Sequence, residues 1–426
     1  MRILLVSYYF PPAAGGGVQR VLKWAKYLPQ FGVEVDVLTP DDPGWIDSGG
    51  GLEVPPGTTV HRTRNRSPRS LKPNEELLGT RGVRRLFKRA VLLPRRLLVP
   101  DMHVGWALSA VPAGCRIVAE RKIDLIVSTS PPETGHLVAA RIARRTGVPW
   151  IADFRDSWLD LPHLRTDRAL VRLKHAVNTR LARRLFARAQ AATTVSEPLA
   201  ADLRRRFPQL PVHVISNGVD LDDLEGLPIV RESGDGRFLM LYTGNFFGRQ
   251  SPATFLEALA ALLQRRPELR ELVSMRFVGG LKPGDAARID GDELLASCVE
   301  RVAFLDYRDV LAWQAAADLL FLYVAPGPGS AGVFTGKVFE YIAAGRPILA
   351  LAPADNVAAQ LVLEADAGEV VDPADVAAIG VALERAVDAW REGGTPTLTP
   401  PVQVMDRISR AGQARALAEL VRATLN

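Results

Sequence analysis

Short apolar runs, bounded by turn residues and separated by segments of helical periodicity, recur along most of the chain. In the first half, residues 2–7, 33–38, 123–128, 148–153 and 191–195 read as buried strands. Between the first two, Val18, Val21, Leu22, Ala25 and Leu28 take the i, i+3, i+4, i+7 spacing of an amphipathic helix. The second half repeats the pattern, with strands predicted at residues 238–243, 275–278, 318–324 and 347–351. Continuous apolar strands alternating with helices predict a parallel sheet covered on both faces. Residues 43–100 break this rhythm; rich in Gly, Pro and Arg, they predict loops and one short helix. Residues 402–425 have helical periodicity and no strand.

The fold class predicted is therefore α/β, with two doubly wound, Rossmann-like domains. Ile215-Ser216-Asn217-Gly218-Val219-Asp220 falls between the halves, and its Asn-Gly is a turn signal. We place the first domain at residues 1–210, the second at 211–400, and at 401–426 a C-terminal helix that packs back on the first domain. Two such domains joined by a hinge are expected to leave a cleft lined by the C-terminal ends of both sets of strands.

A length of 426 residues agrees with two or three domains. With 47% hydrophobic and 23% charged residues the chain is neither disordered, collagen-like nor a coiled coil. No apolar stretch approaches the roughly 18 residues that a membrane span needs. The apolar opening is too short for a secretory leader and runs into Pro11, Pro12 and three glycines, so it reads as the first strand of a cytoplasmic protein. Cys115 and Cys298 are too few for a disulfide scaffold or a thiolate metal cluster and are expected in the core. Charge is divided unequally. Residues 1–210 hold 34 Lys and Arg against 18 Asp and Glu, whereas residues 211–426 hold 19 against 29. Opposite signs assign the two halves different electrostatic tasks.

Two segments carry candidate phosphate chemistry. Pro11-Pro12-Ala13-Ala14-Gly15-Gly16-Gly17 lies between the first strand and the first helix, where glycines let backbone amides approach an anion. A flexible loop is the alternative. The spacing is neither a G-x-G-x-x-G fingerprint nor a Walker loop, which argues against NAD and ATP here, and no cofactor is expected. In the second half, Thr335, Gly336 and Lys337 open a short helix that ends at Gly345 before Pro347. Their amides and the lysine charge suit a diphosphate, and Glu340, one turn on, suits a ribose diol. A surface Lys–Glu pair on an ordinary helix is the competing reading.

Asp153-Phe154-Arg155-Asp156 follows an apolar run, at the C-terminal edge of a strand. Arg155 and Asp156 there either flank an acceptor hydroxyl or make a helix cap and a structural ion pair. Ser130-Pro131-Pro132-Glu133 reads as a capping box with proline at the first helical position, and nearby His136 is either catalytic or a satisfied interior residue. No metal-ligand spacing is present, and no essential metal is expected. Residues 81–96 carry Arg81, Arg84, Arg85, Lys88, Arg89, Arg95 and Arg96 with no acidic residue, over an apolar helical face. Peripheral contact with an anionic membrane through that stretch competes with a solvated face. Residues 165–188 form a second basic stretch, with eight Lys and Arg against Asp167. No nucleic-acid-binding signature accompanies the charge, and no nucleic-acid partner is expected.

Gly336-Lys337-Val338-Phe339-Glu340-Tyr341-Ile342-Ala343-Ala344-Gly345-Arg346-Pro347 resembles the donor-site helix of GT-B glycosyltransferases, in particular glycosyltransferase family 4. Residues 3–19 resemble that family's first strand and glycine loop, and Val195-Ser196-Glu197-Pro198 and residues 215–220 its segments leading to the hinge. Residues 128–136 and 153–158 match a bacterial subgroup; residues 242–246 and 302–307 fit parts of the second domain. Two departures stand out. The first of the family's two glutamates falls on Gly332, the second on Glu340, and the usual Arg-x4-Lys pair falls on Asn245 and Gln250, leaving Arg249 and Lys337 as the nearest cations.

The resemblance implies a retaining glycosyltransferase that moves a sugar from a nucleotide-diphosphate sugar, by default a UDP-sugar, to an acceptor hydroxyl. A cytoplasmic enzyme, at the inner face of the cell membrane, of envelope polysaccharide or glycolipid assembly is implied; antibiotic glycosylation, a nucleotide-sugar 2-epimerase and a non-catalytic nucleic-acid-binding protein are the alternatives. On the donor side it implies Gly16 and Gly17 from the first domain, then Asn245, Arg249 and Leu305, then Thr335, Gly336, Lys337 and Glu340. Arg155 and Asp156 would bind the acceptor, and Asp156, His136 and Lys337 would be catalytic.

Overall fold

The computed structural model describes residues 1–13, 15–41, 52–67, 98–159, 169–227, 236–303, 305–327 and 329–426. The basic stretch at residues 81–96 lies outside them. The chain divides into two compact units, Met1–Ser216 with Arg410–Asn426, and Asn217–Ser409.

In the first unit seven strands form one parallel sheet: β1 (Arg2–Val6), β2 (Glu34–Pro40), β3 (Thr59–Thr63), β4 (Leu125–Ser130), β5 (Trp150–Phe154), β6 (Ala191–Thr194) and β7 (Val212–Val214). Their order is β3-β2-β1-β4-β5-β6-β7, with Ile3 opposite Val35 on one side and Leu125 on the other. The two-residue period of a strand divides β1 between two cores. Leu4 and Val6 join Ile126, Ala152, Trp106 and Phe186 on one face, while Ile3 and Leu5 join Val18, Val21, Leu125 and Ile151 on the other. Helix Gly16–Tyr27 covers the second face, and helix Arg410–Leu425 lies against it through Ala414, Leu417, Ala418 and Val421. The periodic segment at 402–425 is thus two helices, Val402–Ile408 in the second unit and Arg410–Leu425 in the first, separated by the extended Ser409.

The second unit carries a six-stranded parallel sheet: β8 (Phe238–Thr243), β9 (Val273–Val278), β10 (Val299–Val302), β11 (Leu319–Tyr323), β12 (Ile348–Leu351) and β13 (Gly368–Val371). The order is β10-β9-β8-β11-β12-β13. Phe238, Met240 and Tyr242 face one core with Phe255 and Phe321, and Leu241 faces the other with Leu320, Phe339 and Ile342. At its boundary Val219 pairs with Ser409, and the Val219 amide donates to the Ile408 carbonyl at 2.9 Å.

Four strands were not anticipated from the hydrophobic pattern: β3, β7, β10 and β13. All four lie at the edges of their sheets. β3 also corrects the expectation of loops and a short helix across residues 43–100. In both sheets the strand order reverses beside the first strand of the unit, between β1 and β4 and between β8 and β11. Open parallel sheets bind ligands at such switch points, beyond the strand C-termini.

Candidate functional site

At the switch point of the second unit, β8 ends on Thr243 and turns at Gly244, whose φ of 111° lies in the region glycine favours. A Cβ here would sit 2.6 Å from Cε of Lys337, so Gly244 is small because the lysine stem passes over it. The Lys337 ammonium rests 5.0 Å from the centroid of the Tyr242 ring, itself stacked on Phe246 at 4.2 Å. Burial lowers the Lys337 pKa from its ordinary value and Glu340 opposes that shift. Arg249 reaches the loop after β11: a Cβ on Gly327, at φ 148°, would lie 2.9 Å from its Nη1. The guanidinium also lies near enough to Tyr323 to oppose the burial-driven rise of that phenol. Two cations thus border the loops that follow β8 and β11.

Glu340 belongs to a polar chain. Gln314, wholly buried, donates through Nε2 to Glu340 Oε2 at 3.2 Å and to Thr243 Oγ1 at 3.0 Å. The Thr243 amide in turn donates to the Tyr341 hydroxyl at 3.0 Å. Among the described residues Gln314 Oε1 finds no hydrogen-bond partner. Asn245 ties the loop after β8 to the loop after β9, its Oδ1 accepting from the Gly280 amide at 2.6 Å. Thr335 is half-buried, Gly336 is exposed, and the helix they precede, Lys337–Ala343, has seven residues. Leu305 packs against the Leu320–Phe339 core. The loop carrying Gly332 is held by buried Asn356, whose Nδ2 donates to the carbonyls of Ser330 (2.6 Å) and Val333 (3.1 Å) while its Oδ1 caps the next helix. Gln314 has no local sequence signature; only tertiary placement gives it a role.

At the switch point of the first unit, Gly17 lies beneath Arg155. A Cβ there would be 2.9 Å from Arg155 Nη1 and 3.2 Å from the Tyr9 ring. Arg155 Nε donates to the Ser130 carbonyl at 3.1 Å, and Nη2 donates to the Pro131 carbonyl. Burial lowers its pKa, with Asp153 and Asp156 opposing. Asp156 is exposed beside it. Gly16 opens helix Gly16–Tyr27 after Gly15, at φ 104°.

Asp153 makes a structural Asp–Arg ion pair, one of the two readings of its segment: it is wholly buried, paired with Arg20 at 2.8 Å and hydrogen-bonded by Thr129 and Thr193. One expectation is corrected. The capping box at Ser130 does not form, because helix Thr134–Thr146 begins later and Asp101 caps it, accepting from the Thr134 amide and hydroxyl at 2.7 Å each. His136 is wholly buried among Trp150, Phe154, Trp158 and Phe186, with Nδ1 2.7 Å from the Ser128 hydroxyl and Nε2 2.9 Å from that of Ser130. Burial drives its pKa down to about 3, so it is a neutral interior group with both nitrogens engaged, the interior alternative to a catalytic role. Glu133, read from sequence only as a cap, lies close to Asp101. Burial and that neighbour push its pKa up to about 8, against the pull of Lys174. Among the described residues no group of three or more His, Cys, Asp or Glu is arranged to hold a metal ion.

Residues 15–218 match the family described as glycosyl transferase 4-like domain, and residues 237–389 match the glycosyl transferases group 1. A curated relative, the D-inositol 3-phosphate glycosyltransferase of Streptomyces coelicolor, is 27% identical over 235 residues, 49% of this chain and 48% of that protein. The match thus spans about half the length of the curated relative. Two solved structures share the fold over nearly the whole chain. An α,α-trehalose-phosphate synthase (UDP-forming) from Burkholderia xenovorans, in complex with glucose-6-phosphate, is 15% identical with a TM-score of 0.62, covering 99% of this chain and 100% of that one. Anabaena HepE in complex with UDP-glucose is 17% identical with a TM-score of 0.57, covering 99% and 100%. Two parallel sheets in two units, a family match across each half and the Lys337–Glu340 segment in the group 1 half together place the chain among the GT-B glycosyltransferases, with a family 4-like architecture.

Proposed function

We propose that the protein transfers a sugar from a UDP-sugar to an acceptor hydroxyl with retention of configuration, in envelope polysaccharide or glycolipid assembly. The observation that carries this reading is the placement of Lys337 and Arg249 around the loops after β8 and β11, with Glu340 one helical turn from the lysine. In this reading the two cations meet the diphosphate and Glu340 accepts from the ribose hydroxyls. Gln314 holds Glu340 in place. UDP is favoured by the solved relative that carries UDP-glucose and by the UDP-forming synthase.

Retention fits a front-face displacement. The acceptor oxygen bonds to the anomeric carbon on the face the diphosphate leaves, and the acceptor proton passes to a leaving phosphate oxygen. The site then works by positioning and by stabilising charge on the departing diphosphate, the task of Lys337 and Arg249. In the first unit, Arg155, exposed Asp156 and Glu133 lie around the β1–β4 switch point and are assigned to the acceptor. The envelope assignment is supported by the excess of basic residues in the first half, since an anionic donor bound to the second half does not call for it.

The test is a thermal-shift and calorimetry panel of UDP, GDP, ADP and TDP with their sugars. A nucleotide at 100 times its dissociation constant stabilises by about 2.7 kcal/mol. UDP is expected to give the largest shift, and UDP-sugar hydrolysis or transfer should follow. No shift with any nucleotide overturns the reading. Conversion of a UDP-sugar to its 2-epimer without acceptor replaces it with epimerisation.

A further inference from the structure

The helix Ala169–Phe186 has two unlike faces. Its inner side is anchored by Ala182 and Phe186, the latter against Trp150, Phe154 and Trp158. Lys174 also turns inward, where Asp101 and Glu133 act on it. Along the outer side stand Leu170, Leu173 and Val177, respectively 51%, 61% and 40% exposed. The i, i+3, i+7 spacing sets these three apolar side chains in one stripe. The same outer side continues through Arg180 and Arg184, with Arg172 and Arg183 flanking it and Arg188 in the turn that follows the helix, all exposed. The helix contains no acidic residue.

A surface helix normally turns its apolar stripe to the core and its charges to water. Here the core stripe is present and a second apolar stripe faces outward, continued and flanked by arginines. Water is a poor partner for that stripe, and another folded domain would need a carboxylate-rich rim to meet five arginines. An anionic bilayer satisfies both halves: acyl chains for the leucines and valine, lipid phosphates for the guanidinium groups. We infer that helix Ala169–Phe186 is an interfacial element that lies on an anionic membrane, with Leu170, Leu173 and Val177 inserted and Arg180, Arg183 and Arg184 on the headgroups. The inference does not depend on the donor assigned above, because no residue of the second unit enters it.

The experiment uses the full chain and sedimentation with vesicles of phosphatidylcholine alone or mixed with phosphatidylglycerol. The wild type is expected to bind the mixed vesicles at least tenfold more tightly than the neutral ones, and less tightly as salt rises. Leu170→Ser/Leu173→Ser/Val177→Ser and Arg180→Gln/Arg183→Gln/Arg184→Gln should each lose at least tenfold, since each basic residue near such a surface contributes roughly fivefold. Unchanged melting temperatures and UDP binding in both variants would show that fold and donor site are intact. The inference is overturned if the wild type does not bind anionic vesicles. It is overturned equally if both variants bind like the wild type, which would move the contact to another segment. A wild-type dimer that the serine variant converts to a monomer, with vesicle binding unchanged, would assign the stripe to a second copy of the chain and also overturn it.

Discussion

Arg20 and Asp153 meet in a two-point contact inside the first unit, Nε to Oδ2 at 3.1 Å and Nη2 to Oδ1 at 2.8 Å, with neither side chain more than 1% exposed. The same guanidinium donates to the carbonyls of Ile215 (2.8 Å) and Ser216 (2.7 Å), the last residues of the unit before the chain leaves it. Thr129 and Thr193 complete the carboxylate. One buried ion pair therefore ties helix Gly16–Tyr27, strands β4 to β6 and the exit segment together, with its polar groups well supplied.

Removing one partner leaves a buried charge without its counterion. Arg20→Ala is expected to cost about 3–5 kcal/mol in denaturant unfolding, far more than an exposed arginine. Arg20 and the two threonines hold the Asp153 pKa below its ordinary value despite burial. The sign follows from a depressed carboxylate: its contribution is fully present above the unfolded value near pH 4 and is lost as pH falls through the lower folded value. Comparing wild type and Asp153→Asn from pH 7 to pH 3 should show the gap between them narrowing only at the acid end. A gap that instead widens as pH falls from 7 toward 4 would mean the carboxyl is protonated in the fold.

His136 supplies a second titration in a separate window. Its pKa falls from the ordinary value near 6.5 to about 3 in the fold, so between those values the unfolded chain takes up a proton that the folded chain does not. Its contribution is complete above about pH 6.5 and declines as pH falls toward 3, at roughly 1.4 kcal/mol per pH unit. His136→Gln should flatten the stability curve between pH 6 and 4 while leaving the pH profile of activity in place. A change in that profile instead would return His136 to the chemistry.

How far such assignments were legible in the sequence depends on where the energy comes from. Strands β1 and β8, buried on both faces, print continuous apolar runs. β3, with residues Thr59-Val60-His61-Arg62-Thr63, and β10, with Val299-Glu300-Arg301-Val302, lie at sheet edges where one side meets water and periodicity fades. Lys337 and Glu340 were visible because they lie three residues apart on one short helix. Gln314 was not, since its contact with Glu340 crosses 26 residues, and Arg20 reaches Asp153 across 133. At His136 two readings stay open in the sequence, because proximity to Ser130 and Glu133 says nothing of burial. Its ring is held by the hydroxyls of Ser128 and Ser130.

Glu340 and Gln314 can be separated by affinity. Glu340→Ala should weaken UDP binding by about 1.5–3 kcal/mol, the worth of a hydrogen bond to a charged group. Gln314→Leu keeps the carboxylate but releases its orientation and leaves Thr243 Oγ1 without that donor. A smaller loss of UDP affinity is expected, with the melting temperature lowered. Calorimetry at fixed pH checks both; a glutamate variant with wild-type affinity would remove Glu340 from the nucleotide.

Lys337 and Gly244 form the most direct test of the diphosphate assignment. If the lysine meets charge that grows as the sugar–phosphate bond breaks, Lys337→Ala should lower kcat more than it raises the donor KM. An effect on KM alone would reduce Lys337 to ground-state binding. Gly244→Ala adds a methyl 2.6 Å from Lys337 Cε and strains a backbone at φ 111°, so it should displace the ammonium from the Tyr242 ring. The lysine contact is common to both changes, and losses that run through it should not add. In the Lys337→Ala background the lysine stem is gone, and Gly244→Ala should lower kcat little further. Additive losses in the double variant would show that Gly244 acts through its own loop and not through the lysine.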